Sequence, residues 1–193
     1  MFRQWWEVKS RHPDAILFFR MGDFFEMFHD DARVASEALE ITLTSRGKGS
    51  DNPAPMCGVP HHAADQYVAR LVRQGHRVAI CDQVEDPRSA KGIVKREVVR
   101  VVTPGTLTDP EALEAKDNSY IAAVRPRGDR LGLAYLDLST GEFLLSELSG
   151  AGTRDEWEDQ FARFDPKEVL LPEGDEESLP PIPDPAGHRP LQT

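Results

Sequence analysis

Only two of the 193 residues are cysteine, Cys57 and Cys81. Two thiols without zinc-type spacing leave neither a disulfide scaffold nor a standard zinc site as the expected organiser of the fold. No apolar run approaches the roughly 20 residues that a membrane-spanning helix needs, so no membrane partner is expected. The opening Met1-Phe2-Arg3-Gln4-Trp5-Trp6-Glu7 has no apolar h-region, so no signal peptide is expected and the thiols are read as those of a reduced, cytoplasmic protein. Basic charge is also scarce, with 23 Lys+Arg against 33 Asp+Glu and a net charge of -10. That balance is unfavourable for a chain gripping phosphate along its whole length. The deficit is uneven, however. Residues 1–117 hold 16 basic and 18 acidic side chains, whereas residues 118–193 hold 7 and 15. Within the first part, Arg88, Lys91, Lys95, Arg96 and Arg100 stand against Glu97 alone, a local basic stripe compatible with nucleic acid.

What is present is an ordinary globular mixture, 39% hydrophobic and 29% charged. Residues 5–9 read as a short helix ended by the approach to Pro13. Ala15-Ile16-Leu17-Phe18-Phe19-Arg20-Met21 reads as a buried strand between Pro13 and Gly22. Helical spacing follows over residues 30–39, with Asp30 or Asp31 able to cap its start. Residues 41–44 look strand-like, and residues 47–55 read as a loop. Residues 64–74 form an amphipathic helix, with Tyr67, Val68, Leu71 and Val72 as its stripe and Gly75 as its stop. Residues 77–81 and 97–102 are strands. A polar linker leads to three short strands, 120–125, 131–138 and 142–147, whose turns predict an antiparallel meander. A helix over 156–164 and a strand over 169–171 follow. From Pro172 the chain is proline-rich without apolar period and is expected to be extended or disordered. The fold class is α/β (α+β): a mixed-sheet unit over 1–107, a linker over 108–118, a second, incomplete unit over 119–171, and a tail over 172–193.

The segment Gly22-Asp23-Phe24-Phe25-Glu26-Met27-Phe28 poses the functional question. In an extended chain Phe24, Glu26 and Phe28 share one face, and Phe25 and Met27 share the other. Composition alone favours burial of all three phenylalanines, with Glu26 at a solvated edge. Neither face is purely apolar, though, and an aromatic beside a carboxylate just after a Gly-Asp turn has the form of a surface probe. An exposed Phe can wedge between base pairs at a cost of a few kcal/mol in unstacking. A carboxylate there is repelled by phosphate and is favourable only if it accepts a hydrogen bond from a base edge.

Around this segment the sequence resembles the N-terminal part of the bacterial MutS mismatch repair family. The resemblance is carried by His12-Pro13-Asp14, Phe18 to Phe28, Asp30-Asp31-Ala32, Leu43-Thr44-Ser45-Arg46-Gly47 and Pro55-Met56-Cys57-Gly58-Val59-Pro60-His61-His62-Ala63. Val78 to Gln83, Val98 to Thr106 and Leu136-Asp137-Leu138-Ser139-Thr140-Gly141 extend it. It implies a mismatch-recognition domain followed by part of an RNase H-like connector. It implies that Phe24 stacks on a mispaired or unpaired base from the minor groove while Glu26 hydrogen-bonds that base. Arg46 and Arg96 fall at backbone-contacting positions, and Met21, Asp23, Pro55 and Met56 in stretches lining the DNA-facing surface. Mismatched duplex DNA is the implied partner, with MutL meeting the connector and homodimerisation in the full-length family protein. The implied location is the bacterial cytoplasm, at the nucleoid. ATP and Mg²⁺ belong to later regions of the family, so this chain is expected to need no cofactor and to catalyse nothing.

Other readings are weaker. Gly47-Lys48-Gly49-Ser50 lacks the earlier glycine of a phosphate-binding loop. His61, His62, Cys57 and Cys81 fit no standard zinc spacing. Asp137 alone lacks the convergent carboxylates of a metal nuclease. An adaptor acting through the acidic second half is the main alternative of a different class.

Overall fold

The computed structural model describes residues 1–47, 53–85, 92–107, 118–174, 179, 181–183 and 191–193. The chain divides into two units, Met1–Thr103 and Pro104–Thr193.

In the first unit the apolar run at residues 15–21 becomes the central strand β1 (Ala15–Met21), buried along both faces over its first five residues. That double burial explains why it reads as a continuous hydrophobic stretch and not as an alternation. It pairs antiparallel with β2 (Phe24–Phe28) and parallel with β5 (Arg77–Gln83). The β3 (Thr44–Arg46) and β4 (Ala54–Pro60) strands extend the sheet beyond β2, and β6 (Arg96–Val102) extends it beyond β5. The order is β3-β4-β2-β1-β5-β6. One face carries helix α1 (Phe2–Lys9), whose buried Trp5 and Val8 pack with Ala15, Leu17, Phe19 and Phe28. On the other lie α2 (His29–Leu39), which puts Ala32, Ala35 and Leu39 inside, and α3 (Ala64–Arg73), which buries Val68, Leu71 and Val72. Gly75, at φ +86°, lets the chain leave α3 while the His76 amide returns to the Leu71 carbonyl at 3.1 Å, a termination that a left-handed residue makes possible.

Three expectations are corrected in this unit. Neither Asp30 nor Asp31 caps α2: its N-cap is Phe28, without a side-chain cap. Asp30 pairs with Arg33, while Asp31 is buried and accepts hydrogen bonds from Lys9 Nζ (2.8 Å) and the Leu17 amide (3.0 Å). The strand expected at 41–44 begins only at Thr44, because the preceding residues complete the exit from α2, where the Ile41 amide reaches Ser36 O. Pro55, expected in a loop, lies in β4 between the pairing residues Ala54 and Met56. Lys48, Gly49 and Ser50 of the expected loop, and Arg88 and Lys91 of the basic stripe, lie outside the described residues.

The second unit is the expected meander, with β7 (Tyr120–Arg127), β8 (Arg130–Asp137) and β9 (Glu142–Ser149) paired antiparallel. Helix α4 (Thr153–Phe164) lays Trp157 and Phe161 over Tyr120, Val124, Leu133 and Tyr135. Strand β10 (Glu168–Leu170) then pairs parallel with β7. Part of the tail is described. Leu191–Gln192 forms a fifth strand, β11, parallel to β10. Trp157 Nε1 donates to the Pro181 carbonyl at 3.2 Å, and Leu179 and Ile182 rest against the core. A two-residue strand held by backbone pairing has no side-chain period to read. The linker residues 108–117 lie outside the described residues.

Asp31 ties α2 to α1 and to the central strand. Burial pushes its carboxyl above the usual range, against the opposing pull of Lys9 and the Leu17 amide. Replacing it with Ala leaves the Lys9 ammonium and the Leu17 amide unsatisfied in a mostly buried site. Asp31→Ala is expected to lower stability by about 3 kcal/mol in urea denaturation, and Asp31→Asn, which keeps an acceptor for Leu17, by less.

Candidate nucleic-acid interface

The hairpin that presents Phe24 turns on two residues. Met21 and Phe24 are register partners, so Gly22 and Asp23 are the whole loop. Gly22 takes φ +58° at the first loop position, where a two-residue hairpin favours glycine. The turn is held from two sides. The His61 amide donates to the Asp23 carbonyl at 2.8 Å, and Arg20 Nε donates to the Gly22 carbonyl at 2.5 Å. The Arg20 guanidinium also lies 5.5 Å from the centre of the Phe25 ring.

Strand alternation then sorts the segment. Phe25 and Met27 point toward α2 and α3 and are buried, at 3% and 0% exposure. Phe24, Glu26 and Phe28 share the opposite face, and α1 covers only its far end. Phe28 is fully buried under Phe2 and Trp5, with ring centres 5.2 and 6.0 Å away. Glu26 is half-buried, and Phe24, at the uncovered end, is 48% exposed. The composition-based expectation of three core phenylalanines therefore holds for Phe25 and Phe28 and fails for Phe24.

Glu26 does not stand alone. Arg46 Nη1 donates to its Oε2 at 2.6 Å. Across the strand pair Glu26 faces Gly58, where a Cβ would stand 3.6 Å from Glu26 Cγ and 3.3 Å from the Phe25 carbonyl. Met21 and Met56 lie on the same face, both partly buried against the α1 cluster. Pro55 does not join them: alternation places it with Cys57 and Val59, on the α2 side. Asp23 is exposed in the turn. Arg96 sits on the α1 side, its guanidinium 5.1 Å from the centre of the Phe19 ring. It donates to Arg20 O (2.6 Å), Val94 O (2.8 Å) and Gln4 Oε1 (3.2 Å). Burial pushes its pKa down, opposed by the nearby Cys81 and Asp82 charges. Arg96 thus ties β6, β1 and α1 together. The other described cations of the basic stripe are also paired, Lys95 with Glu97 and Arg100 with Asp65.

Sequence reasoning assigned no role to Arg20, Gly58 or His61. A glycine inside a strand pattern is itself a sign of close approach by a neighbour, and that signal was available for Gly58. The turn-locking contacts of Arg20 and His61 depend on pairing between β2 and β4 and leave no local mark.

The described residues contain no group of three or more His, Cys, Asp or Glu able to hold a metal. Cys57 is buried with Sγ 3.4 Å from the Ala32 carbonyl. Burial pushes the Cys57 and Cys81 thiols up to about 11 and about 12. Asp137 ends β8. Burial raises its carboxyl, but hydrogen bonds from Ser139 Oγ and the Ser139 and Thr140 amides outweigh this and hold it below the usual range. It braces the β8–β9 turn. No helix among the described residues is long and apolar enough to cross a membrane.

A two-unit α+β chain with an exposed aromatic ring beside a carboxylate on one face of its first sheet matches two domain families in succession. Residues 1–111 match MutS domain I and residues 119–187 match MutS domain II. The chain belongs to the MutS family. It is similar to the DNA mismatch repair protein MutS of Pelotomaculum thermopropionicum, 57% identical over 172 residues, covering 89% of this chain and 20% of that protein. It is also similar to MutS of Desulfatibacillum aliphaticivorans, 56% identical over 179 residues, covering 92% of this chain and 20% of that protein. For MutS of Syntrophobacter fumaroxidans the identity is 52% over 188 residues, covering 94% and 21%. The chain therefore spans about a fifth of the length of these relatives.

The two neighbouring phenylalanines should separate cleanly in stability. Phe25→Ala empties a packed site and is expected to cost about 3 kcal/mol or more in urea denaturation. Phe24→Ala removes a half-exposed ring and is expected to cost less than about 1 kcal/mol. Equal losses would place Phe24 in the core.

Proposed function

We propose that this chain is the mismatch-reading end of a DNA mismatch repair protein, with Phe24 as the wedge and Glu26 as the acceptor for the base it stacks on. The observation that carries the reading is the half-exposed Phe24 on the same face as Glu26, at the end of the sheet that α1 leaves open. A ring there can enter a base step without disturbing the core. Mismatched sites unstack and bend more cheaply than matched ones, so selectivity comes from deformability more than from a base code. Arg96 contributes to the sequence-blind grip on the backbone, with Arg46, Met21, Asp23, Pro55 and Met56 as neighbouring contacts with the duplex. For Arg96 and Pro55 this requires rearrangement from the positions described above.

The second unit is proposed to act as the connector that meets MutL. Homodimerisation, ATP and Mg²⁺ are assigned to parts of the family protein outside the matched domains, and this chain is proposed to have no catalytic role of its own. Its proposed location is the bacterial cytoplasm, at the nucleoid.

The test is Phe24→Ala in a full-length MutS that contains this sequence. Loss of about tenfold or more in preference for a mismatched over a matched duplex is expected, the worth of one stacking contact. An unchanged preference would sink the wedge assignment. Glu26→Ala is expected to lower discrimination and to raise affinity for matched DNA by removing a charge that phosphate repels. The isolated 193-residue chain is expected to bind mismatched DNA weakly, given 16 basic and 18 acidic side chains in residues 1–117. Tight, mismatch-selective binding by that chain in a gel shift at physiological salt would contradict this.

A further inference from the structure

The ion pair between Arg46 and Glu26 engages one carboxylate oxygen and leaves the other. Arg46 Nη1 holds Oε2 at 2.6 Å, and no hydrogen bond reaches Oε1 among the described residues. We infer that Arg46 is a positioning residue for base recognition: by anchoring Oε2 it holds Oε1 on the Phe24 face as the acceptor for a mispaired or unpaired base. The inference rests on the reading of Phe24 and Glu26 as the mismatch probe.

Three observations support it. Glu26 has a flexible side chain, and a group ordered before binding does not charge its ordering to the complex. The two side chains are partly buried, 18% exposed for Glu26 and 39% for Arg46, so the pair is less screened than one in open solvent. Across the strand pair Glu26 faces Gly58, which carries no side chain to compete with Arg46 for the carboxylate. Arg46 itself lies on the three-residue strand β3, directly across from Ala54, while Thr44 of the same strand lies across from Met56. The arginine is therefore placed by the sheet on the probe face, from which it reaches Glu26. An arginine acting only on phosphate would need no such partner.

The experiment uses a full-length MutS that contains this sequence. Affinities for a G·T-mismatched duplex and its matched counterpart are measured across a salt series for Arg46→Gln, Glu26→Gln and the double variant. Arg46→Gln is expected to lower the mismatched-to-matched affinity ratio about fivefold, the worth of one hydrogen bond. Added to Glu26→Gln it is expected to lower the ratio no further. Equal weakening on both duplexes with a shallower salt slope is the signature of a plain phosphate contact and would overturn the inference. A ratio that rises would mean that Arg46 only masks the Glu26 charge, and a loss that persists in the Glu26→Gln background would mean that it acts elsewhere; either overturns it. Arg46→Lys, which keeps a donor for Oε2, is expected to retain more than half of the wild-type ratio, and a Lys variant as poor as the Gln variant counts against positioning. If Phe24→Ala and Glu26→Gln leave the ratio intact, the probe reading itself fails; if they lower it and Arg46→Gln does not, only the positioning role fails.

Discussion

The antiparallel register of β1 and β2, set by a two-residue turn at Gly22 and Asp23, is the constraint on which the exposed placement of Phe24 depends. Side chains alternate across a strand, so a slip of one residue would send Phe24 and Glu26 into the α2 side and bring Phe25 and Met27 out. The structure resists that slip from several directions. Gly22 adopts a conformation that other residues take with strain, Arg20 and His61 hold the two turn carbonyls, and β4 pairs with every residue of β2. On the proposed reading of Phe24 as a wedge, that rigidity keeps the scaffold from yielding when the ring is forced between bases.

Burial along the probe face is graded by how far α1 reaches. Phe28 lies beneath Phe2 and Trp5, Glu26 at the margin, and Phe24 beyond it. The same three-residue alternation thus supplies an anchor in the core, an acceptor at the rim and an exposed ring.

The charge pattern also changes meaning in three dimensions. As a sequence, residues 88–100 offer a basic stripe. As a structure, its described members are engaged: Arg96 with backbone carbonyls and the Phe19 ring, Lys95 with Glu97, and Arg100 with Asp65. What distinguishes the proposed interface is the placement of a few groups around Phe24, which the net charge of the chain does not reveal.

Much of the architecture was legible in the residues. The doubly buried β1 announced itself as an unbroken apolar run, α3 by its stripe and its glycine stop, and the meander by its turns. The burial of Phe28 and the exposure of Phe24 were not legible, because both stand on one face of one strand and differ only in whether a helix from elsewhere in the chain lies above them. The capping expectation for Asp31 failed for a related reason: its side chain is recruited by Lys9 and Leu17, distant in sequence, in preference to its own helix. Strand β11 escaped notice because backbone pairing selects no side-chain pattern. The sequence by itself determined which residues alternate, where the chain turns and which family's motifs it carries, since these follow from local covalent geometry and residue type. Only the tertiary structure decided that Phe24 is the exposed member of its face and that Arg46 holds Glu26, because exposure and ion pairing depend on what other segments cover or bring near.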